Sequence, residues 1–134
     1  MSEGTQILVT SDRDVVTARQ QGRALALQAG FSDSEATLIA TAISELARNI
    51  VSYARQGTVT FKSLNGHKGA VGLKIVAADS GPGIADVSQA LRDGFSSSGG
   101  LGLGLPGVKR LMDEFDIASR VGSGTTVTVT KWRT

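Results

Sequence analysis

The chain contains no cysteine, which excludes disulfides and thiolate-bound metals and fits a reducing, cytoplasmic setting. Aromatic side chains make up 4% of its 134 residues, too few for a platform on which single-stranded bases could stack. Charge is nearly balanced, with 14 lysines and arginines against 12 acidic residues and a formal net charge of +2. The basic residues are scattered, and the densest cluster is "KWR" at 131–133. The chain therefore lacks a basic footprint for a phosphate backbone, and no nucleic-acid partner is expected. Long apolar runs are also missing. Pieces such as "IVAA" at 75–78 fall far short of a membrane span. The opening "MSEGTQILVT" has neither the basic start nor the apolar stretch of a signal peptide, so no membrane association is expected. One domain over residues 1–134 suits this length, with ~65–70% of the unfolded surface buried.

Local patterns predict an α/β order. "TQILVTS" (5–11) is β-prone, Ser11 or Asp12 suits a helix N-cap, and Gly30 suits the position just past that helix. Ser32 and Glu35 form an S-x-x-E capping box. Ala36, Ile39, Ile43, Leu46, Ala47, Ile50 and Ala54 follow at helical spacing, with Gly57 as the stop. "TVTFKSL" and "AVGLKIVAAD" read as strands joined by an Asn65-Gly66 hairpin turn. "DVSQALRDGF" reads as a short helix ahead of a Gly/Ser stretch. Pro106 opens a further helix through "GVKRLMDEF", and "FDIASRV" and "TTVTVTKW" close as strands around Gly122 and Gly124. The order β-α-α-β-β-loop-α-β-β, with strands pairing as hairpins, predicts a mixed or antiparallel sheet with helices on one face.

What the chain has in quantity is glycine, 17 residues, concentrated in "GGLGLGLPG" at 99–107. Gly102, Gly104 and Gly107 spell G-x-G-x-x-G. A dinucleotide fingerprint must close the first strand of a βαβ unit, with an acidic residue about twenty positions on. Here the glycines follow serines, and twenty residues on stands "VGSG", so that reading fails. "GVKR" is not the G-K-[ST] of a Walker loop. Alternating glycines ahead of a helix do present free N–H groups to an anion, where the helix dipole also favours negative charge. The leucines at 101, 103 and 105 argue against a mere spacer.

Three further pieces carry chemistry. On the long helix, Thr41, Glu45, Arg48, Asn49 and Ser52 form a polar stripe opposite the apolar one. That pattern is usually a solvated face. Asparagine is unfavourable in mid-helix, however, and its carbonyl is a hard ligand suited to magnesium. Glu45, one turn earlier, has the chemistry to accept a proton from an attacking hydroxyl. Asp79 then precedes Ser80-Gly81-Pro82-Gly83, which is either an ordinary turn or a carboxylate accepting from an exocyclic amine beside glycines that admit a flat base. "GSGTT" at 122–126 is, alone, a hairpin.

Taken in order, Asn49 on a helix, "DSGPG", "GGLGLGLPG" and "GSGTT" resemble the four nucleotide boxes of the GHKL ATPase superfamily (gyrase, heat-shock chaperone, histidine kinase, MutL). The resemblance runs from Ser32 to Val129. It implies a Bergerat-type two-layer α/β sandwich binding ATP and Mg²⁺, with a lid over 87–104. It also implies that Asn49 coordinates magnesium and Asp79 binds the adenine amine. Gly81 and Gly83 would shape the base pocket, and Thr125 or Thr126 would back the base. Gly100, Gly102 and Gly104 would wrap the phosphates, with Leu103 packing in the closed lid. A cation near the γ-phosphate is expected from among Arg48, Arg92, Lys109 and Arg110.

"TAISELARNIVSYARQG", "DGFSSSGGLGLGLPGVKRLMDEF" and the ending "KW" resemble, within the superfamily, the RsbT-type serine/threonine switch kinases of the stressosome. That resemblance makes Glu45 the general base. It implies phosphorylation of STAS-domain proteins of RsbS and RsbR type and, on release, activation of an RsbU-type phosphatase. The alternative is an anti-sigma factor that uses kinase activity for release, since such relatives share all four boxes. The sequence leaves open whether the chain forms a homodimer.

Overall fold

The strands are built to bury one side. Ile7, Val59, Ala77, Val127 and Ile117 stand opposite one another in register across the sheet. Phe61, Ile75, Val129 and Phe115 form the next row. Both rows belong to a single hydrophobic core. Alternate positions such as Thr58, Thr60, Val76 and Thr128 point the other way and are only half-buried.

A computed structural model describes residues 4–84 and 104–133. Within them run β1 (Thr5–Val9), α1 (Asp12–Gln28), α2 (Asp33–Asn49), a π-helical turn (Ile50–Ala54), β2 (Gly57–Asn65), β3 (Val71–Asp79), α3 (Gly104–Leu111), β4 (Glu114–Arg120) and β5 (Gly124–Trp132). The sheet order is β1-β2-β3-β5-β4, and every neighbouring pair is antiparallel. Ala18, Ala36, Ile39, Ile43, Leu46 and Val108 from the helices pack into the same core as the strand rows. The result is a two-layer α/β sandwich with the helices on one face, as expected.

Helix ends follow their chemistry unevenly. Ser32 and Glu35 do form a reciprocal capping box. Gly30 takes φ +94 past α1, as a C′ glycine should. Ser11 sits at the N-cap of α1 but its side chain caps nothing. The entry is tied instead by Asp14, whose carboxylate accepts from the Thr10 backbone N–H and hydroxyl, both at 2.8 Å. Those bonds hold the Asp14 carboxyl below the usual carboxylate range, the backbone bond contributing most.

Three expectations are corrected. The long helix does not run regularly to Gly57, because it widens after Asn49 into the π-helical turn and ends at Arg55 with φ 72. Apolar spacing over five residues does not distinguish turns of different width. The β2–β3 hairpin is real, but Asn65-Gly66 is not its turn. Asn65 pairs with Val71, and the positive φ values fall at Lys68 and Gly69. Gly66 serves packing: a Cβ there would lie 2.8 Å from the Trp132 ring. Finally, α3 stops at Leu111, because Phe115 takes its place in a buried strand row opposite Val129. The short helix expected from "DVSQALRDGF" and the lid over 87–104 lie outside the described residues, apart from Gly104.

Candidate active site

A cavity of about 250 Å³ opens between the C-terminal end of α2, the ends of β3 and β5, and the start of α3. One wall is Leu46 and Asn49 of α2, continued by Ile50 and Tyr53 of the π-helical turn. Its floor comes from strand register. Ala77 pairs with Val127, and two residues on Asp79 pairs with Thr125, so both pairs face the helices. The lining is mostly apolar with a few polar groups at the edges, which suits a flat organic ring with a polar rim.

Asp79 is divided between the protein and the cavity. Its Oδ1 accepts from the backbone N–H groups of Gly81 at 2.8 Å and Thr125 at 3.3 Å. Its Oδ2 has no hydrogen-bond partner among the described residues. That leaves one carboxylate oxygen to accept from a ligand N–H.

Asn49 carries a second vacancy of bonding. Among the described residues its Oδ1 is the one buried side-chain polar atom without a hydrogen-bond partner. An unmet buried acceptor costs ~1–3 kcal/mol, which a cation would offset. No group of three or more histidine or carboxylate side chains occurs among the described residues. Among the described residues the cavity thus offers the neutral oxygen of Asn49, which fits a magnesium ion held mainly by substrate phosphates and water.

The other expected residues divide. Thr125 lines the cavity and Thr126 does not, since alternate strand residues face opposite ways. Gly83 lines the cavity with φ +79, but a Cβ there would strike the Arg120 carbonyl. Gly81 lies outside the lining, and its Cβ would sit 2.5 Å from Ala54 Cβ. These glycines let the β3 end pack against neighbouring backbone and the π-helical turn. Gly104 lines the cavity at the first residue of α3, with φ +59. Glu45, one turn before Asn49, is 2% exposed and outside the cavity lining, so at this position the polar stripe on α2 is not a solvated face. Arg48, Lys109 and Arg110 do not line the cavity. Gly100, Gly102, Leu103 and Arg92 lie outside the described residues.

Two contributors escaped the sequence reading. Tyr53, 51% exposed, stands at the cavity wall, and its helical spacing from Leu46 and Ile50 was the available signal. Ser119, on β4, ties the site together from behind. Its Oγ accepts from the Ile84 N–H at 2.7 Å, donates to the Gly124 carbonyl at 3.2 Å, and lies 2.8 Å from Thr125 Oγ1. Its signal was a lone hydroxyl in the inward series Phe115, Ile117, Ser119.

Comparison with known proteins gives the same picture. The family described as histidine kinase-like ATPase domain matches residues 8–131. The serine/threonine-protein kinase RsbT of Bacillus subtilis is 48% identical over 132 residues, spanning 98% of each chain. An anti-sigma F factor of a Thermoanaerobacter species is 30% identical over 122 residues, 86% of this chain and 82% of that relative. Among solved structures, the RsbU and RsbW domains of a Mycobacterium tuberculosis protein align with a TM-score of 0.62 at 23% identity. That alignment covers 98% of this chain and 33% of the longer one, a likeness of fold.

Proposed function

This chain belongs to the histidine kinase-like ATPase family, and on that premise we propose that it is an ATP-dependent protein serine/threonine kinase of a bacterial partner-switching system. The observation that carries the reading is the orphaned Oδ1 of Asn49, set in the cavity wall one helical turn beyond a buried carboxylate. A purely structural asparagine would have found a partner. The whole-length identity to RsbT supports this branch of the family.

In this mechanism Asp79 Oδ2 accepts a hydrogen from the adenine amine, while its Oδ1 stays fixed by Gly81 and Thr125. Asn49 Oδ1 would hold a magnesium ion, which when bound would draw charge from the phosphates. The start of α3, with Gly104 and Leu105 in the cavity lining, directs backbone N–H groups toward the phosphates. Glu45 takes the proton of the attacking serine or threonine hydroxyl as its oxygen bonds the γ-phosphorus and the bond to ADP breaks. We take the acceptors to be STAS-domain proteins of RsbS and RsbR type, and the partner of the released kinase to be an RsbU-type phosphatase.

The test is transfer of γ-labelled phosphate from Mg-ATP to purified STAS-domain proteins. Label on serine or threonine, absent with Asn49→Ala, is the expected result. No transfer by a protein that still binds ATP would overturn the kinase reading. A second reading, an anti-sigma factor that sequesters a sigma factor, is favoured by the 30% identical relative. Co-purification of a sigma factor in place of STAS proteins would select it.

A further inference from the structure

Thr125 faces the cavity, and the residue that controls its hydroxyl does not. Ser119 Oγ makes three contacts, and a serine hydroxyl has one hydrogen and two lone pairs to make them with. The Ile84 N–H takes one lone pair at 2.7 Å. The carbonyl of Gly124, at 3.2 Å, can only accept, so the one arrangement that meets all three contacts gives it the single hydrogen. The 2.8 Å contact with Thr125 Oγ1 is then completed by the threonine hydrogen entering the second lone pair. In that arrangement every bonding position on Ser119 is used, and the hydrogen of Thr125 is committed to Ser119.

We propose that Ser119 is a positioning residue that selects the purine: by taking the Thr125 hydrogen it leaves Thr125 Oγ1 an acceptor toward the ligand. The inference rests on the nucleotide site proposed above. Asp79 Oδ2 is an acceptor as well, so the base end of the cavity shows two acceptors in register across β3 and β5. A purine with an amine at position 6 has two hydrogens to give there. A purine with a 6-oxo group places a third acceptor against the other two, and a buried acceptor without a donor is costly. Without Ser119, Thr125 regains a rotatable hydroxyl that can donate to the 6-oxo group. The Ile84 backbone, also part of the cavity lining, loses its tether in the same step.

The experiment is calorimetric binding of Mg-ADP and of Mg-IDP, which differ at position 6 of the base, to wild type and variants. Wild type is expected to favour ADP by at least tenfold. Ser119→Ala should lower that ratio about three- to tenfold, the scale of one hydrogen bond. Part of the change should be a gain for IDP, which mere loosening of the fold does not produce. Ser119→Thr, which restores a hydroxyl, should restore the ratio. Ser119→Ala added to Thr125→Val should change it no further than Thr125→Val alone. Ser119→Cys replaces Ser119→Ala if the alanine variant does not fold, with the same loss expected. An unchanged ADP-to-IDP ratio in the folded Ser119 variant overturns the inference while leaving the nucleotide site standing. Failure of the wild type to bind ADP overturns both.

Discussion

The backbone N–H of Thr125 donates to Asp79 Oδ1 at 3.3 Å, joining residues 46 apart in sequence. With the Gly81 bond at 2.8 Å, it assigns one carboxylate oxygen to the protein and leaves the other to the cavity. Asp79→Asn can keep the first role and lose the second, because its amide would place a donor where the proposed adenine amine would need an acceptor. The fold should hold while ATP affinity falls ~10- to 150-fold by calorimetry. Unchanged affinity would remove Asp79 from the base pocket.

Asn49 sets stability against function. Asn49→Leu replaces an unsatisfied buried acceptor by an apolar side chain of similar volume. The apo protein should gain ~1–2 kcal/mol in urea unfolding. The magnesium-dependent part of ATP binding should disappear in the same variant. A less stable apo variant would mean that Oδ1 is met by water in solution and is not kept for a cation.

Glu45 is buried, so Glu45→Gln tests its charge with little change of shape. Mg-ATP affinity should stay within about threefold. Phosphoryl transfer to a STAS-domain substrate, in single turnovers, should slow ~10²- to 10⁴-fold. Equal transfer rates would exclude the base role.

Gly83 and Gly69 share φ +79 but not surroundings. A Cβ on Gly69 meets nothing within 4 Å, whereas one on Gly83 strikes the Arg120 carbonyl. Gly69→Ala should therefore cost only the left-handed strain, ~1–2 kcal/mol. Gly83→Ala should cost ~1–3 kcal/mol more through overpacking. Equal thermal destabilisation of the two would remove the β4–β5 turn as the reason for Gly83.

The regular elements were legible because their signals are local. The capping box at Ser32, the helical spacing from Ala36 to Ile50 and the alternation in β3 and β5 each lie within a few residues. Asn49 and Asp79 were legible as chemistry out of place, an amide in mid-helix and a carboxylate at a strand end. What escaped depends on distant partners. Gly66 looked like a turn residue because Trp132, which covers it, is far along the chain. The close packing of Gly81 on Ala54 and of Gly83 on Arg120 was hidden for the same reason. The choice of Thr125 over Thr126 needed strand register, and Ser119 needed three partners on two other segments.

The strand order has a consequence for how the protein comes into being. β5 is the last strand in chain order, yet it lies inside the sheet between β3 and β4. During synthesis β3 must wait with one edge unpaired until residues 124–132 have left the ribosome. Asp79 gains its Thr125 bond, and α1 gains the Arg133 guanidinium on the Ala29 carbonyl at 3.0 Å, only in that final step. Loops this long close slowly. A nascent chain stalled before β5 should thus carry its helices and its β1–β2–β3 meander but no closed cavity, which forms only as the sheet is completed.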